Sequence, residues 1–481
     1  MNNQEVLKKI RLLVGNSKVI SDPEQLKNTD GLPNREYEKS FGINMTVPPM
    51  AIVFAENVDD VVKVLTFCND NGINVIARGG GSAGEGLLEA REAGTLMLDC
   101  SKMNKLISFD QENMMATAQC GYSFDQLEKM ANKNGLTTGH GPQSISLAQI
   151  GGLVATRSTG QFSTYYGGIE DMVCGLEAVM PDGRVIRIRN VPRRAAGPDL
   201  RHLFIGSEGA IAIITEVTVK LFPYYPNDMW LGGYIVDNIE IGFATIREIM
   251  VSGYKPSVLR LYDKSDMDYN FGSVKLKNEE AFMFFTAEGP SEIAQGTGAG
   301  IDRIALKNGG NYIGTKAVEH WLEHRNDLCQ KIGSEANMKR HRETNVYYGT
   351  LEVSASWTDI VEIYHNVMAR VPVKIENLVM LGGHVSHSYI NGTNIYFVYR
   401  LRMNSPETAH DEMMELIKAI CNEVIQYPTG GVVHHHGMGK ERVIYAKQEH
   451  GSSYSLMEDL KKTFDPQNIM NRGTLIQVYD A

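Results

Sequence analysis

The sequence predicts an α+β protein in two main parts, and three observations carry that reading. Up to about residue 225, apolar runs of strand length alternate with a well-capped helix and glycine-rich turns. From about residue 226, strand-like runs at 229–236 and 281–286 alternate with helical patterns at 239–251 and 358–369. That alternation suggests an antiparallel sheet with helices. The length, 481 residues with 43% apolar side chains, allows two or three domains.

Residues 73–86, INVIARGGGSAGEG, organise the first part. Ile73, Val75 and Ile76 read as a buried strand that stops at Arg78, and Gly79, Gly80, Gly81, Ser82, Ala83 and Gly84 follow. Consecutive glycines reach positive φ and bring several N–H groups to one anion with no Cβ in the way. A diphosphate is the usual anion that rewards this, and a tight turn at a strand end is the plain alternative. Gly79, Gly81 and Gly84 also satisfy G-x-G-x-x-G, with Asp99 near the distance of a Rossmann acid. The element order argues against that fold, because the helix precedes the strand. Asn57 and Asp60 cap it, Val58, Val61, Val62, Leu65 and Cys68 form its apolar face, and Gly72 closes it.

The net charge of −10 and the absence of a basic stripe argue against a nucleic-acid binder. Cys68, Cys100, Cys120, Cys174, Cys329 and Cys421 are scattered without a C-x-x-C, as in a reduced cytosolic chain. The N-terminal apolar segment is too short and amphipathic for a secretory signal, and no run reaches transmembrane length. The C-terminal QVYDA carries no targeting tripeptide. The expectation is a cytoplasmic protein.

In order along the chain, a surface helix is expected over 3–14 within a mixed polar stretch to residue 45. A strand at 51–54 comes next, then the capped helix, the strand into the glycine loop, a strand at 95–98 and a helix near 124–132. Residues 140–160 place Gly151 and Gly152 before Thr156, Arg157, Ser158 and Thr159. Such a run fits backbone approaching a bulky polar ligand, with Arg157 and the hydroxyls donating, or else a capped turn on a core. Pro181-Asp182-Gly183 signals a hairpin, and Gly206 to Gly209 a tight turn before a strand that runs to Pro223.

These pieces form a set: P-P-x-A-I-V, R-G-G-G-S, I-G-G…T-R-S-T-G, P-D-G-R, G-S-E-G…I-I-T-E and the late F-D-P-Q-N-I-M-N-R-G. As a set they resemble the PCMH-type FAD-binding domain of the vanillyl-alcohol-oxidase superfamily. The resemblance covers about residues 45–225 and 440–481. It implies a cofactor domain over 1–225, a cap domain over 226–440, and a return to the cofactor domain over 441–481. It further implies that FAD is held by Arg78, Gly79, Gly80, Gly81, Ser82, Ala83, Ser144, Gly151, Gly152, Thr156, Arg157, Ser158, Glu208, Gly209 and Ile214. Members that attach FAD covalently often use a histidine in the glycine loop. This loop has none, which implies non-covalent binding.

Four features of the second part carry chemistry. Arg260 sits in the apolar run PSVLRLYD, and a buried arginine needs an anion, structural or substrate. Tyr396 lies in NIYFVYRL, where Ile395, Phe397 and Tyr399 would share one face and Tyr396 the other. His384 and His387 would sit on opposite faces of a strand, which speaks against a metal pair. His434, His435 and His436 are costly to bury and suit proton transfer near neutral pH or metal binding.

D-2-hydroxyacid dehydrogenases of the superfamily hold a divalent metal through histidines and a glutamate. Here Tyr396 falls near the second histidine and His435 replaces the glutamate, so no metal is expected. V-S-H-x-Y-x-x-G-x-x-I-Y-F, H-H-H-G-M-G-K and S-V-L-R-L-Y-D are most similar to alkylglycerone-phosphate synthase. That family joins a fatty alcohol to dihydroxyacetone phosphate without net redox change. The resemblance implies a proton-handling role for Tyr396, with His434 to His436 and Arg260 beside it. The family's second substrate arginine has no clear counterpart, its place falling on Met338 with Arg340 and Arg342 close by. Two readings follow. One is an FAD oxidoreductase taking a hydride from an alcohol or 2-hydroxy acid. The other is ether synthesis. The partners expected are a small-molecule substrate, an electron acceptor such as an electron-transfer flavoprotein, and a second copy of the chain in a homodimer.

Overall fold

The computed structural model describes residues 1–29, 40–41, 47–272, 274–277, 279–331 and 334–477. The rest of the mixed stretch before residue 45 and the C-terminal residues 478–481 lie outside the described residues.

The first sheet contains β1 (Val19–Ile20), β2 (Ala51–Phe54), β3 (Val75–Arg78) and β4 (Leu96–Asp99) in the order β1-β2-β4-β3. β2, β4 and β3 run parallel, and β1 pairs antiparallel with β2. Parallel strands need a crossover, and helix Val58–Asn71 supplies it between β2 and β3. The Asn57 side chain accepts from the Asp60 N–H at 2.9 Å, and Gly72 at φ +64° ends the helix. Val61, Val64, Leu65 and Cys68 are its buried face, with Val58 and Val62 packed at the edge.

Next come β5 (Leu106–Asp110), β6 (Met115–Gln119), β7 (Leu136–Thr137), β8 (Val173–Val179), β9 (Val185–Ile188), β10 (Ile213–Lys220) and β11 (Phe222–Pro223). β5-β6-β10-β8-β9 form an antiparallel sheet, and β7 and β11 a separate ladder. The β8–β9 hairpin closes with Val179 opposite Val185 and Gly183 at φ +84°. Helix Phe124–Lys133 is capped by Ser123. The turn before β10 has Gly206, Glu208 and Gly209 all at positive φ, as its short sequence requires.

The remaining strands, β12 (Trp230–Val236), β13 (Val258–Tyr262), β14 (Ala281–Ala287), β15 (Asn311–Gly314), β16 (Val346–Ser356), β17 (Leu378–Val385) and β18 (Gly392–Arg402), form one antiparallel sheet. Its order is β15-β12-β14-β13-β17-β18-β16. Strand period two sorts its side chains. Leu259, Leu261, Leu351, Val353, Ile395 and Phe397 pack with helices Ile239–Val251, Ser291–Lys307, Ile360–Lys374 and Ala409–Val424 in the largest core. The opposite face carries a row set by register, in which Tyr262 stands opposite His384, His384 opposite Tyr396, and Tyr396 opposite Glu352.

The chain then returns to the first sheet. The Asn471 N–H donates to the Val75 carbonyl at 2.9 Å, and Met470 bridges Val75. Lys440 is buried, and its ammonium donates to the carbonyls of Leu87 (3.2 Å) and Glu89 (2.7 Å) and to Asn471 Oδ1 (2.7 Å). Replacing this side chain with an apolar one removes three buried hydrogen bonds. Lys440→Met is expected to cost about 3 kcal/mol, on the scale of ~1 kcal/mol per hydrogen bond lost. Differential scanning calorimetry would show this as a lowered Tm, and an unchanged Tm would contradict it.

Candidate active site

A cavity of about 1010 Å³ lies between the glycine turns of the first two sheets and the row-bearing face of the third. Arg78, Gly79, Gly80, Gly81, Ser82, Ala83, Ser144, Gly151, Gly152, Thr156, Ser158, Glu208, Gly209 and Ile214 line one wall. Arg260, Arg340, His384, His387, Tyr396, His435 and His436 line the other. Among the described residues, the N–H groups of 79–84 find no acceptor within the protein. Glycine is demanded there by contact: a Cβ on Gly80 would lie 1.9 Å from the Leu147 carbonyl oxygen. On Gly151 a Cβ would fall 2.4 Å from that of Cys120. Unpaired donors beside a cavity fit an anionic group such as a diphosphate. Arg78 is held by Asp99, its strand neighbour, at 2.6 Å.

Arg157 is placed otherwise than the sequence suggests. It sits at φ +52° with an exposed side chain paired to Glu170 at 3.1 Å, and it does not line the cavity. From that segment, Thr156 and Ser158 reach the cavity. Glu208 ties the two walls together, its carboxylate accepting from the N–H groups of Met438 (2.6 Å) and Gly439 (2.9 Å). Burial raises that carboxyl to about 7, against the pull of those donors.

Glu352 anchors the cluster around Tyr396. It is fully buried, and its Oε1 accepts from the backbone N–H groups of His434 (3.3 Å), His435 (3.2 Å) and His436 (3.0 Å). Arg442, equally buried, donates Nη2 to Oε1 (3.1 Å) and Oε2 (3.2 Å). The same Nη2 meets Glu85 at 3.0 Å. Nδ1 of His436 completes the group, 2.9 Å from Glu352 and 3.6 Å from Glu85. Burial opposes charge on Glu352, but Arg442 and His436 overcome it and hold the carboxyl well below its ordinary range. Burial likewise opposes charge on His436, yet the two carboxylates raise it to about 10.

The Tyr396 hydroxyl meets Nε2 of His435 at 2.5 Å and Nε2 of His436 at 3.3 Å. His384 stacks on its ring at 4.9 Å, with Nδ1 bound to Asp266 at 2.5 Å. Burial pushes Tyr396 well above the usual phenol range and lowers His434 to about 4. Burial also lowers His435 and His387 well below the usual imidazole range. His384 and His387 both line the cavity, contrary to the opposite faces expected of them, because β17 ends at Val385 and His387 lies past it. Arg260 is 6% exposed, lies over Trp321 at 4.9 Å, and has no partner for its Nε. His387, His434 and His435 bring ring nitrogens within 4.8 Å of one another, as do the ligand atoms of Glu85, Glu352 and His436. Hydrogen bonds to one another, to tyrosines and to Arg442 already engage His434, His435 and the second trio.

Residues 49–189 match the family described as "FAD binding domain", and residues 227–475 match "FAD linked oxidases, C-terminal domain". The chain belongs to the PCMH-type FAD-linked oxidoreductases. It is 44% identical to "Uncharacterized FAD-linked oxidoreductase YgcU" of Escherichia coli K12, over 99% of each chain. It is 26% identical to alkyldihydroxyacetonephosphate synthase of Caenorhabditis elegans, over 89% of this chain and 76% of that one. Mitochondrial D-lactate dehydrogenase [cytochrome] 1 of Saccharomyces cerevisiae is 27% identical over 88% and 72%. A solved alkyldihydroxyacetonephosphate synthase superposes with a TM-score of 0.79 at 23% identity, covering 98% of this chain and 86% of the other.

In this FAD-linked oxidoreductase, sequence reasoning missed Glu85, Glu352 and Arg442. Glu352 does leave a signal, a lone charge between Leu351 and Val353 of the kind that singled out Arg260. The ion pair sets a pH dependence. The raised value of His436 means that its contribution to stability is complete below about pH 6.5 and is lost as pH rises through about 10. Nitrogen-15 NMR of the histidines should therefore find one imidazolium persisting at pH 8.5. Glu352→Gln should abolish that signal, and a wild-type protein without any imidazolium at pH 8.5 would refute the pairing.

Proposed function

We propose that this protein oxidises a small alcohol or 2-hydroxy acid, with Tyr396 receiving the substrate's hydroxyl proton and Arg260 holding its carboxylate. One observation carries the reading: Tyr396, Arg260 and the glycine loop with its open N–H groups line one cavity. Residues 78–83 with Ser144, Gly151, Gly152, Thr156, Ser158, Glu208, Gly209 and Ile214 are positioned to hold FAD, the loop taking its diphosphate. Bound there without a covalent link, FAD supplies a hydride acceptor at N5. A separate electron acceptor would complete the cycle, and an electron-transfer flavoprotein is one fitting class.

The cap side of the cavity supports a small anionic substrate. His320, His324, Arg325, Lys331 and Arg340 line the cavity together with Tyr269, Phe271 and Trp321, and the cationic members of that set suit an anion. The similarity to a D-lactate dehydrogenase agrees with a 2-hydroxy acid. Within the site, His436 in its cationic form donates to the Tyr396 oxygen and favours negative charge developing there. Ether formation from an acyl-dihydroxyacetone phosphate is the second reading. It is favoured by the Tyr396–His435–His436 contacts, which match the motifs shared with the synthases.

An anaerobic visible spectrum, titrated with D-2-hydroxy acids, alcohols and one acyl-dihydroxyacetone phosphate, separates the two. Bleaching by a small hydroxy compound supports oxidation. Fatty acid release without bleaching transfers the assignment to ether synthesis. Tyr396→Phe is expected to keep FAD and lose about 10²- to 10⁴-fold in turnover, the usual worth of a proton-transfer group. Wild-type turnover in that variant would remove Tyr396 from the reaction. Arg260→Met is expected to raise KM for carboxylate substrates about 10- to 100-fold, the equivalent of one charge-assisted contact. An equal loss with uncharged alcohols would show that Arg260 does not bind the carboxylate.

A further inference from the structure

We propose that His435, His434 and Tyr389 form a proton path that carries the substrate's hydroxyl proton from Tyr396 to the protein surface, with Tyr389 as its outlet. The path rests on Tyr396 as the proton acceptor in the oxidation described above.

Two imidazoles touch the Tyr396 hydroxyl, and only one of them can take a proton. Nδ1 of His436 faces the carboxylates of Glu352 and Glu85, so His436 is protonated on both nitrogens and acts as a donor alone. Nε2 of His435, at 2.5 Å, is therefore the acceptor for the Tyr396 O–H. This places the proton of His435 on Nδ1, which lies 2.7 Å from Nδ1 of His434. Two neutral rings at that separation share one proton, so His434 accepts there and carries its own on Nε2. That N–H points to the hydroxyl of Tyr389 at 2.8 Å, and Tyr389 is 40% exposed. His387 stands outside the path and braces it, stacked on His434 at 5.2 Å and edge-on to His435 at 5.0 Å. Its Nδ1 is fixed by the Ser163 hydroxyl at 2.6 Å.

The transfer balances. The substrate O–H breaks as a new Tyr396 O–H forms, and the former Tyr396 proton moves to Nε2 of His435. The Nδ1 proton of His435 passes to Nδ1 of His434, the Nε2 proton of His434 passes to Tyr389, and Tyr389 releases its own to water. One proton enters and one leaves. Each imidazole stays neutral and exchanges the nitrogen that bears its hydrogen. Burial is what makes a path necessary, since it opposes both a phenolate at Tyr396 and an imidazolium at His434 or His435. Passing the proton on leaves no new charge inside. Glu352, Glu85 and Arg442 face the inner rings, and Arg260 faces Tyr396 and His387. Glu170, Asp171 and Arg157 face the outlet at Tyr389.

The test uses the holoenzyme. Nitrogen-15 NMR of labelled histidines is expected to find His435 protonated at Nδ1 and His434 at Nε2. In Tyr389→Phe, FAD content and KM are expected to stay within about twofold of wild type. Proton release, followed with an indicator dye during anaerobic flavin reduction, is expected to slow about tenfold or more, with a larger solvent isotope effect. The opposite tautomer at either ring, or proton release at the wild-type rate in Tyr389→Phe, would overturn the path. A wild-type flavin that no alcohol or hydroxy acid reduces would sink the oxidation reading instead. The tautomers would still decide whether the path exists.

Discussion

A carboxylate with no water around it is tolerated only when donors replace the lost hydration, at a cost of several kcal/mol when they do not. Glu352 meets that condition with three backbone N–H groups, the Arg442 guanidinium and the His436 ring. Each of those donors is thereby fixed as well. The histidine triplet belongs to no strand or helix, and three of its N–H groups converge on this one oxygen atom. The ring of His436 gains its charge from the same carboxylate, and through His436 the Tyr396 hydroxyl gains a cationic neighbour. The geometry around Tyr396 thus follows from one buried acid, supported by Glu85 on the facing wall.

The segment 434–442 also joins the two walls of the cavity. Lys440 reaches toward the glycine-loop wall, to the Leu87 and Glu89 carbonyls, while Arg442 reaches to Glu352 in the third sheet and to the Val432 carbonyl. Between them, the N–H groups of Met438 and Gly439 are held by Glu208. Gly437 and Gly439, both at positive φ, let the chain turn between these attachments; a Cβ on Gly439 would lie 2.0 Å from the Glu85 carbonyl oxygen. One short stretch therefore fixes the spacing between the wall that can hold a cofactor and the wall that bears Tyr396. Polar anchors suit this task because their directions are fixed, where apolar contacts would leave the spacing softer.

Local patterns in the sequence made much of the fold legible. The Asn57 cap and Gly72 stop, the Pro-Asp-Gly hairpin and the helix over Ile239–Val251 all depend on neighbours within a few residues, and the structure shows each where those neighbours put it. The two-sided reading of β18 also held, because strand period alone sends Ile395 and Phe397 to the core and leaves Tyr396 on the other face. What depended on register or on an element's end was not legible. Glu352 meets Tyr396 only through pairing across β16 and β18, from 44 residues away in sequence. His384 and His387 share the cavity because β17 stops between them. Arg157 turns to Glu170, a partner that no short-range spacing identifies.

Adjacent histidines of one chemical type are driven in opposite directions here, with His436 raised to about 10 and His434 lowered to about 4. Burial penalises the cation at both, so the difference must come from direct partners. His436 faces two carboxylates, whereas His434 faces another imidazole and a phenol. A tyrosine set between a cationic ring and a neutral one has a donor that favours its anion and an acceptor that can take its proton. Neither ring could supply both, since an imidazolium has no lone pair to accept with and a neutral ring offers no net charge. Three consecutive histidines do this where one would not, because each ring meets a different neighbour while Glu352 holds their shared backbone in place.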